Sequence, residues 1–264
     1  MRITVQHVVD QLVKGVEKVP NTVDSLKYGE TNMEVKGISV SFMPTYYVIE
    51  QTILRRANLL ITHEGLFYSH SDHMVMFQND SVYQEKLRLI RESGIAVYRF
   101  HDYLHRQKPD GIMLGLLRVL GWEKYVSNHR LHTTIISIPP TTLSDIAEYV
   151  KRQLQIPFVR VTGDLSMHCT RIGVLVGYRG SGELCIPLFE QEKLDLIIYG
   201  EGPEWEVPEY VRDSLQQDKH KSLIVLGHSE SEEPGMKYLA EQLQSTFPNI
   251  PVHFIDERPV FQIV

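Results

Sequence analysis

Twelve histidines are spread along the 264 residues, and three places combine them with carboxylates. The first is His63-Glu64, the second runs from His101 to His105 through Asp102, and the third is His228-Ser229-Glu230-Ser231-Glu232. Imidazole mixed with carboxylate suits a transition metal such as zinc, iron, manganese, cobalt or nickel better than calcium or magnesium alone. His228 and Glu232 are four residues apart, so on a helix that begins there both side chains share one face. His63 and Glu64 are adjacent, and within a strand they would point to opposite faces. Both can ligate only where the chain turns, or by flanking a pair of metals, which suggests two ions rather than one. Two metals roughly 3.5–4 Å apart can hold a bridging water and stabilise an oxyanion, which is hydrolytic chemistry on a phosphoester, amide or purine ring carbon. A plainer reading competes: histidines in ordinary hydrogen bonds, and Glu230, Glu232 and Glu233 as a negatively charged helix start favoured by the helix dipole.

Each segment follows a short apolar run: Leu59-Leu60-Ile61, Ile95 to Tyr98, and Ile224 to Leu226. If those runs are strands of one sheet, the three segments gather where open α/β sheets bind ligands, beyond the carboxyl ends of the strands. The elements between them fit. Thr4 caps a helix with Val5, Val8, Val9 and Leu12 on one face, Val35 to Met43 alternates as a strand, and Pro44-Thr45 opens a helix through Leu54. A helix is predicted over 81–93 and another near 111–120. The pattern then restarts with strands at 133–138, 158–161, 171–176 and 195–199. A helix after Thr142 shows a capping-box-like Asp145. A helix from about Pro234 to Gln244 and a strand over 252–256 end the chain. This predicts an α/β fold of two similar α/β domains with mixed sheets flanked by helices. Residues 1–124 with 222–264 are expected to form the metal-site domain, and 125–221 the second. The turn Gly177 to Gly182 offers Arg179 and Gly180 as candidates for cradling a substrate phosphate through backbone N–H groups. It lacks the Lys-Ser/Thr of a Walker loop, and a structural turn is the competing reading.

Composition narrows the function classes. Asp and Glu number 33 against 27 Lys and Arg, a formal net charge of -6, which is a poor footprint for nucleic acid. No apolar run approaches the roughly 20 residues that span a bilayer, and the first residues lack the apolar core of a signal peptide. Cys169 and Cys185 alone are too few for a disulfide framework or a four-cysteine zinc site. A cytoplasmic protein, with no membrane or nucleic-acid partner, is expected.

The segments, taken in order, resemble the family named after NGG-one-interacting factor three, whose bacterial members are called type 2 GTP cyclohydrolase I homologues. Asp24-Ser25-Leu26-Lys27-Tyr28-Gly29 stands where that family has Asp-Asn-x-Gly-Leu-x-x-Gly. Ile61-Thr62-His63-Glu64-Gly65-Leu66 resembles its Ile-Thr-His-His-Pro-Leu, and the stretch opened by His101 its His-Thr-Asn-Leu-Asp. Tyr199-Gly200-Glu201 resembles Thr-Gly-Glu, and Gly227-His228-Ser229-Glu230-Ser231-Glu232 resembles Gly-His-x-x-Thr-Glu. Two positions depart: Glu64 replaces the family's second histidine, and His105 replaces its metal-binding aspartate. One imidazole and one carboxylate have exchanged places, so the family set of three histidines and two carboxylates survives as His63, Glu64, His105, His228 and Glu232.

The resemblance implies a toroidal hexamer of α/β chains with a dinuclear centre of two divalent transition-metal ions per chain, zinc, iron or manganese. It places His63 and His105 on one metal, Glu64 and His228 on the other, and Glu232 between them. Candidates for proton transfer are His101, Asp102, Glu201 and Glu230. The function so implied is a metal-dependent hydrolase using a bridged water on a small-molecule or nucleotide substrate, with ring opening of GTP as its most specific form. The alternative is a non-catalytic metal-binding regulatory or scaffold ring. A single structural metal at His228 and Glu232 is a third possibility.

Overall fold

The computed structural model describes residues 2–71, 77–257 and 259–264. Along the chain come α1 (Val5–Leu12), β1 (Ser25–Tyr28), β2 (Ile38–Ser41), α2 (Tyr46–Leu54), β3 (Leu59–Thr62), α3 (Ser81–Ser93), β4 (Ala96–Arg99), α4 (Asp102–Arg106) and α5 (Gly111–Val119). Then follow β5 (Val126–His129), β6 (Thr134–Thr142), α6 (Leu143–Leu154), β7 (Arg160–Thr162), β8 (His168–Val174), α7 (Gly182–Gln191), β9 (Leu196–Tyr199), α8 (Val207–Gln216), β10 (Ser222–Val225), α9 (His228–Thr246) and β11 (Val252–Phe254). Two compact units result: Met1–Gly111 with Met236–Val264, and Ile112–Gly235.

The first unit is built on a five-stranded sheet of order β1-β4-β3-β2-β11. Three pairings run parallel from β11 through β2 and β3 to β4, and β1 adds antiparallel at the edge. Strands β2, β3 and β4 are buried at every position, as expected of parallel strands covered on both faces. Local chemistry sets the helix ends. The hydroxyls of Thr4 and Thr45 and the carboxylate of Asp80 accept N–H bonds at the starts of α1, α2 and α3. Gly94 ends α3 in the left-handed conformation, φ 66°. Val48, Ile49, Leu60, Ile90, Val97 and Ile255 form the centre of the core.

The second unit holds a six-stranded mixed sheet, β5-β6-β8-β9-β10-β7, parallel only across β8-β9-β10. Thr142 caps α6 by accepting from the Asp145 N–H, as its sequence predicts. Leu175, Phe189, Ile197, Val211 and Leu223 lie in its core. Gly115 of α5 and Gly235 of α9 meet backbone to backbone, with no room for a Cβ on either.

Two expectations are corrected. The strand that delivers His228 is β10, which belongs to the six-stranded sheet, so it does not share a sheet with β3 and β4. Its apolar run is compatible with either sheet, and pairing with β9 and β7 decides. The last helix starts at His228 rather than near Pro234, because Ser231 N–H already bonds Gly227 O and the proline falls inside the helix. Strands β1 and β5, exposed or only half-buried along their length, carry no apolar periodicity to announce them.

Candidate metal centre

In the first unit the chain turns sharply after β3. The N–H groups of His63 and Glu64 both donate to Phe42 O, at 3.0 and 2.9 Å, which breaks the strand alternation and frees the two side chains from opposite faces. His63 is fully buried. Beyond β4, the carboxylate of Asp24 accepts the N–H groups of His101, Asp102 and Tyr103 at 2.8, 2.8 and 3.0 Å. One side chain thus satisfies three of the donors that a helix start leaves open, and it anchors α4. That single turn sets His101 and His105 together, with His105 N–H on His101 O at 3.1 Å. The ring of His63 stacks on His101 with centroids 4.4 Å apart, and His105 meets both edge-on at 4.9 and 5.0 Å. Ligand atoms of His63, His101 and His105 all lie within 4.8 Å of one another, and so do those of Glu64, His70 and His101.

Carboxylates and one arginine hold these side chains. Asp102 Oδ1 lies 2.9 Å from His101 Nδ1, and Asp110 Oδ2 lies 2.9 Å from His105 Nδ1. Arg99, buried at the end of β4, donates from Nε to His63 O at 3.2 Å and from one terminal nitrogen to His70 O at 2.6 Å. Its other terminal nitrogen donates to Glu64 Oε2 at 3.0 Å and lies 3.0 Å from His70 Nδ1. Burial pushes the His101 imidazole down to about 4, against the pull of Asp102, so the ring is neutral at pH 7 and keeps a lone pair for a metal. The bond with His101 holds the Asp102 carboxyl well below the usual carboxylate range. Asp24 is pushed up by burial even though three backbone bonds favour its ionised form.

In the second unit α9 begins at His228, one residue after Gly227 at φ 113°. His228 Nε2 lies 3.2 Å from Glu232 Oε2, so the two side chains do share one helix face. Glu201 Oε2 lies 2.9 Å from His228 Nδ1. Ser231, fully buried, donates to His228 O at 2.8 Å and accepts the Gly177 N–H at 2.9 Å. Gly177, at φ 58°, packs its backbone against Glu232 and His228 where no Cβ would fit.

The predicted residues therefore fall into groups. His63, Glu64, His101, Asp102 and His105 come together in the first unit, and Glu201, His228 and Glu232 in the second. Glu230 accepts from Ser229 Oγ at 2.8 Å and packs over Gly227. In the glycine turn, Gly177, Gly180 and Gly182 spend their N–H groups on Ser231 Oγ, Glu201 O and the Glu206 carboxylate. Those three N–H groups are engaged within the chain. The Arg179 carbonyl accepts from Cys185 Sγ at 3.4 Å. Sequence reasoning missed His70, Arg99 and Asp110. A charge inside the apolar run Ala96-Val97-Tyr98-Arg99-Phe100 is a signal that could have exposed Arg99; His70 carries none.

The sequence pattern of the Duf34/NIF3 (NGG1p interacting factor 3) family matches residues 23–259. The chain belongs to this family. Among Duf34/NIF3 relatives, the GTP cyclohydrolase 1 type 2 homolog of Clostridium acetobutylicum is 22% identical over 237 residues, covering 86% of this chain and 84% of that one. Two solved structures superpose over the full length of both chains. They are a hypothetical protein of Staphylococcus aureus, TM-score 0.79 at 19% identity, and a Bacillus cereus protein related to NIF3, TM-score 0.79 at 15% identity. They carry the fold alone: the chain has the mixed α/β fold of the Duf34/NIF3 family, two sheets flanked by helices.

Proposed function

We propose that this Duf34/NIF3 chain binds two divalent transition-metal ions, zinc, iron or manganese, and uses them in a hydrolytic reaction on a small-molecule or nucleotide substrate. GTP ring opening is the most specific form, in line with the name of the relatives. His63, Glu64, His105, His228 and Glu232 are the proposed ligands. The observation that carries this is the gathering of imidazole and carboxylate donors in the first unit within 4.8 Å. The donor chemistry fits the ions: nitrogen-rich, partly buried, and braced from behind by carboxylates, as transition-metal sites require. A bound divalent ion would supply an acidified water and stabilise charge on the attacked atom.

The residues around the ligands position and hold. Asp102 and Asp110 fix two imidazoles by their Nδ1 atoms, Glu201 does the same for His228, and Arg99 fixes Glu64. We further propose a homo-hexameric ring in the cytoplasm, a setting in keeping with two free cysteines. Elemental analysis of untagged protein purified without chelator tests the reading first. About two metals per chain, with turnover of GTP or of a phosphoester or amide panel, is the expected result. Two metals with no turnover would favour the regulatory or scaffold ring, and no metal even after reconstitution would end the proposal. Light scattering in solution tests the hexamer.

A further inference from the structure

We infer that His101 is itself a metal ligand, forming with His63 and His105 a three-imidazole site in the first unit. The inference rests on the metal-binding reading above and goes beyond its five-residue ligand set. His101 Nδ1 is engaged by Asp102 Oδ1 at 2.9 Å, which leaves Nε2 as the donor atom. His105 repeats the arrangement with Asp110, so both rings have the carboxylate–imidazole pairing that orients metal-bound histidines. With metal–nitrogen bonds of about 2.0–2.1 Å, ring centroids sit roughly 3.2 Å from an ion, and neighbouring ligand rings roughly 4.5–5 Å apart. The two edge-on separations to His105, 4.9 and 5.0 Å, match that spacing, whereas His63 and His101 stack at 4.4 Å and one ring must turn for both to face the same ion.

Glu64 supports the assignment from the other side. Its Oε2 is taken by Arg99 at 3.0 Å, whereas Oε1 lies 3.9 Å from His101 Nε2. His101 is the residue shared by both donor groups of this unit.

Cobalt(II), added alone to metal-free full-length protein, tests this by titration and by its visible absorption bands. The wild type is expected to bind and to show bands of a nitrogen-rich site. His101→Ala should lose at least 100-fold in affinity at one site and lose or shift those bands. Asp102→Asn, which keeps the ring and loses its brace, should weaken binding by about 10–100-fold. Melting curves of the metal-free variants verify the fold. A folded His101→Ala protein with wild-type cobalt affinity and unchanged bands overturns the inference and leaves the metal-binding reading intact. If His101→Ala does not fold, unchanged affinity in Asp102→Asn overturns it. A wild type that takes up no cobalt removes the metal-binding reading, and this inference with it.

Discussion

Arg99 distributes its donors among two backbone carbonyls and a carboxylate in a fully buried position. A lysine, a single compact ammonium, cannot cover those directions. Arg99→Met leaves Glu64 without its counter-charge, and urea unfolding of the metal-free protein should show a loss of about 3–5 kcal/mol. A loss under 1 kcal/mol would mean the pair contributes little. Lys86 of α3 is also buried and donates to Leu66 O at 2.6 Å. Burial pushes its ammonium from 10.5 down to about 8, with Glu257 pulling the other way. Between those values the unfolded chain holds the proton and the folded chain does not, so stability rises as pH goes from about 8 to 10.5. The gain is on the order of 3 kcal/mol, and Lys86→Met should lack it in pH-dependent urea unfolding. An identical pH slope in the two proteins would contradict the assignment. At this scale the gathering of His63, Glu64, His101 and His105, and the shared helix face of His228 and Glu232, were legible from type and spacing. The braces were not, because Asp110 and Arg99 act through folded geometry that no short motif encodes.

The elements hold the site by close backbone approach. Gly177→Ala would place a methyl group against Glu232 and force a left-handed conformation, which alone costs roughly 1–2 kcal/mol. A drop in melting temperature together with weaker metal binding is expected. A variant that melts like the wild type would show that the loop can move aside. Asp24→Ala removes the carboxylate that accepts the opening N–H groups of α4, and a loss of about 1–2 kcal/mol should follow, read by the same unfolding experiment. Helix starts at Thr4, Thr45 and Thr142 were legible because the cap lies within three residues of what it bonds. Asp24 lies 77 residues from His101, so the cap of α4 was invisible locally. The start of α9 was obscured by Pro234, which normally marks a first turn and here is accommodated inside the helix.

For the whole molecule, a ligand that binds only the folded chain raises stability with the logarithm of its concentration relative to the dissociation constant. Zinc, manganese or ferrous iron at about 100 times its dissociation constant should add about 2.7 kcal/mol and several degrees to the melting temperature. Absence of any shift with all three would argue against a native metal centre. The α/β class was legible from alternating apolar runs and helical periods. Which strands share a sheet was not, since an apolar run of four residues says nothing about its neighbours. The two units also differ in how their chain is supplied. Ile112–Gly235 is one uninterrupted stretch, whereas the first unit needs β11, near the very end, to cover the edge of β2. During synthesis the second unit can therefore be finished while the first still exposes an open, apolar strand edge, the kind of surface that invites mispairing. Ribosome-bound chains arrested before β11 emerges should resist protease across the second unit and be cut within the first. Equal resistance of both would show that β2 does not wait for its last neighbour.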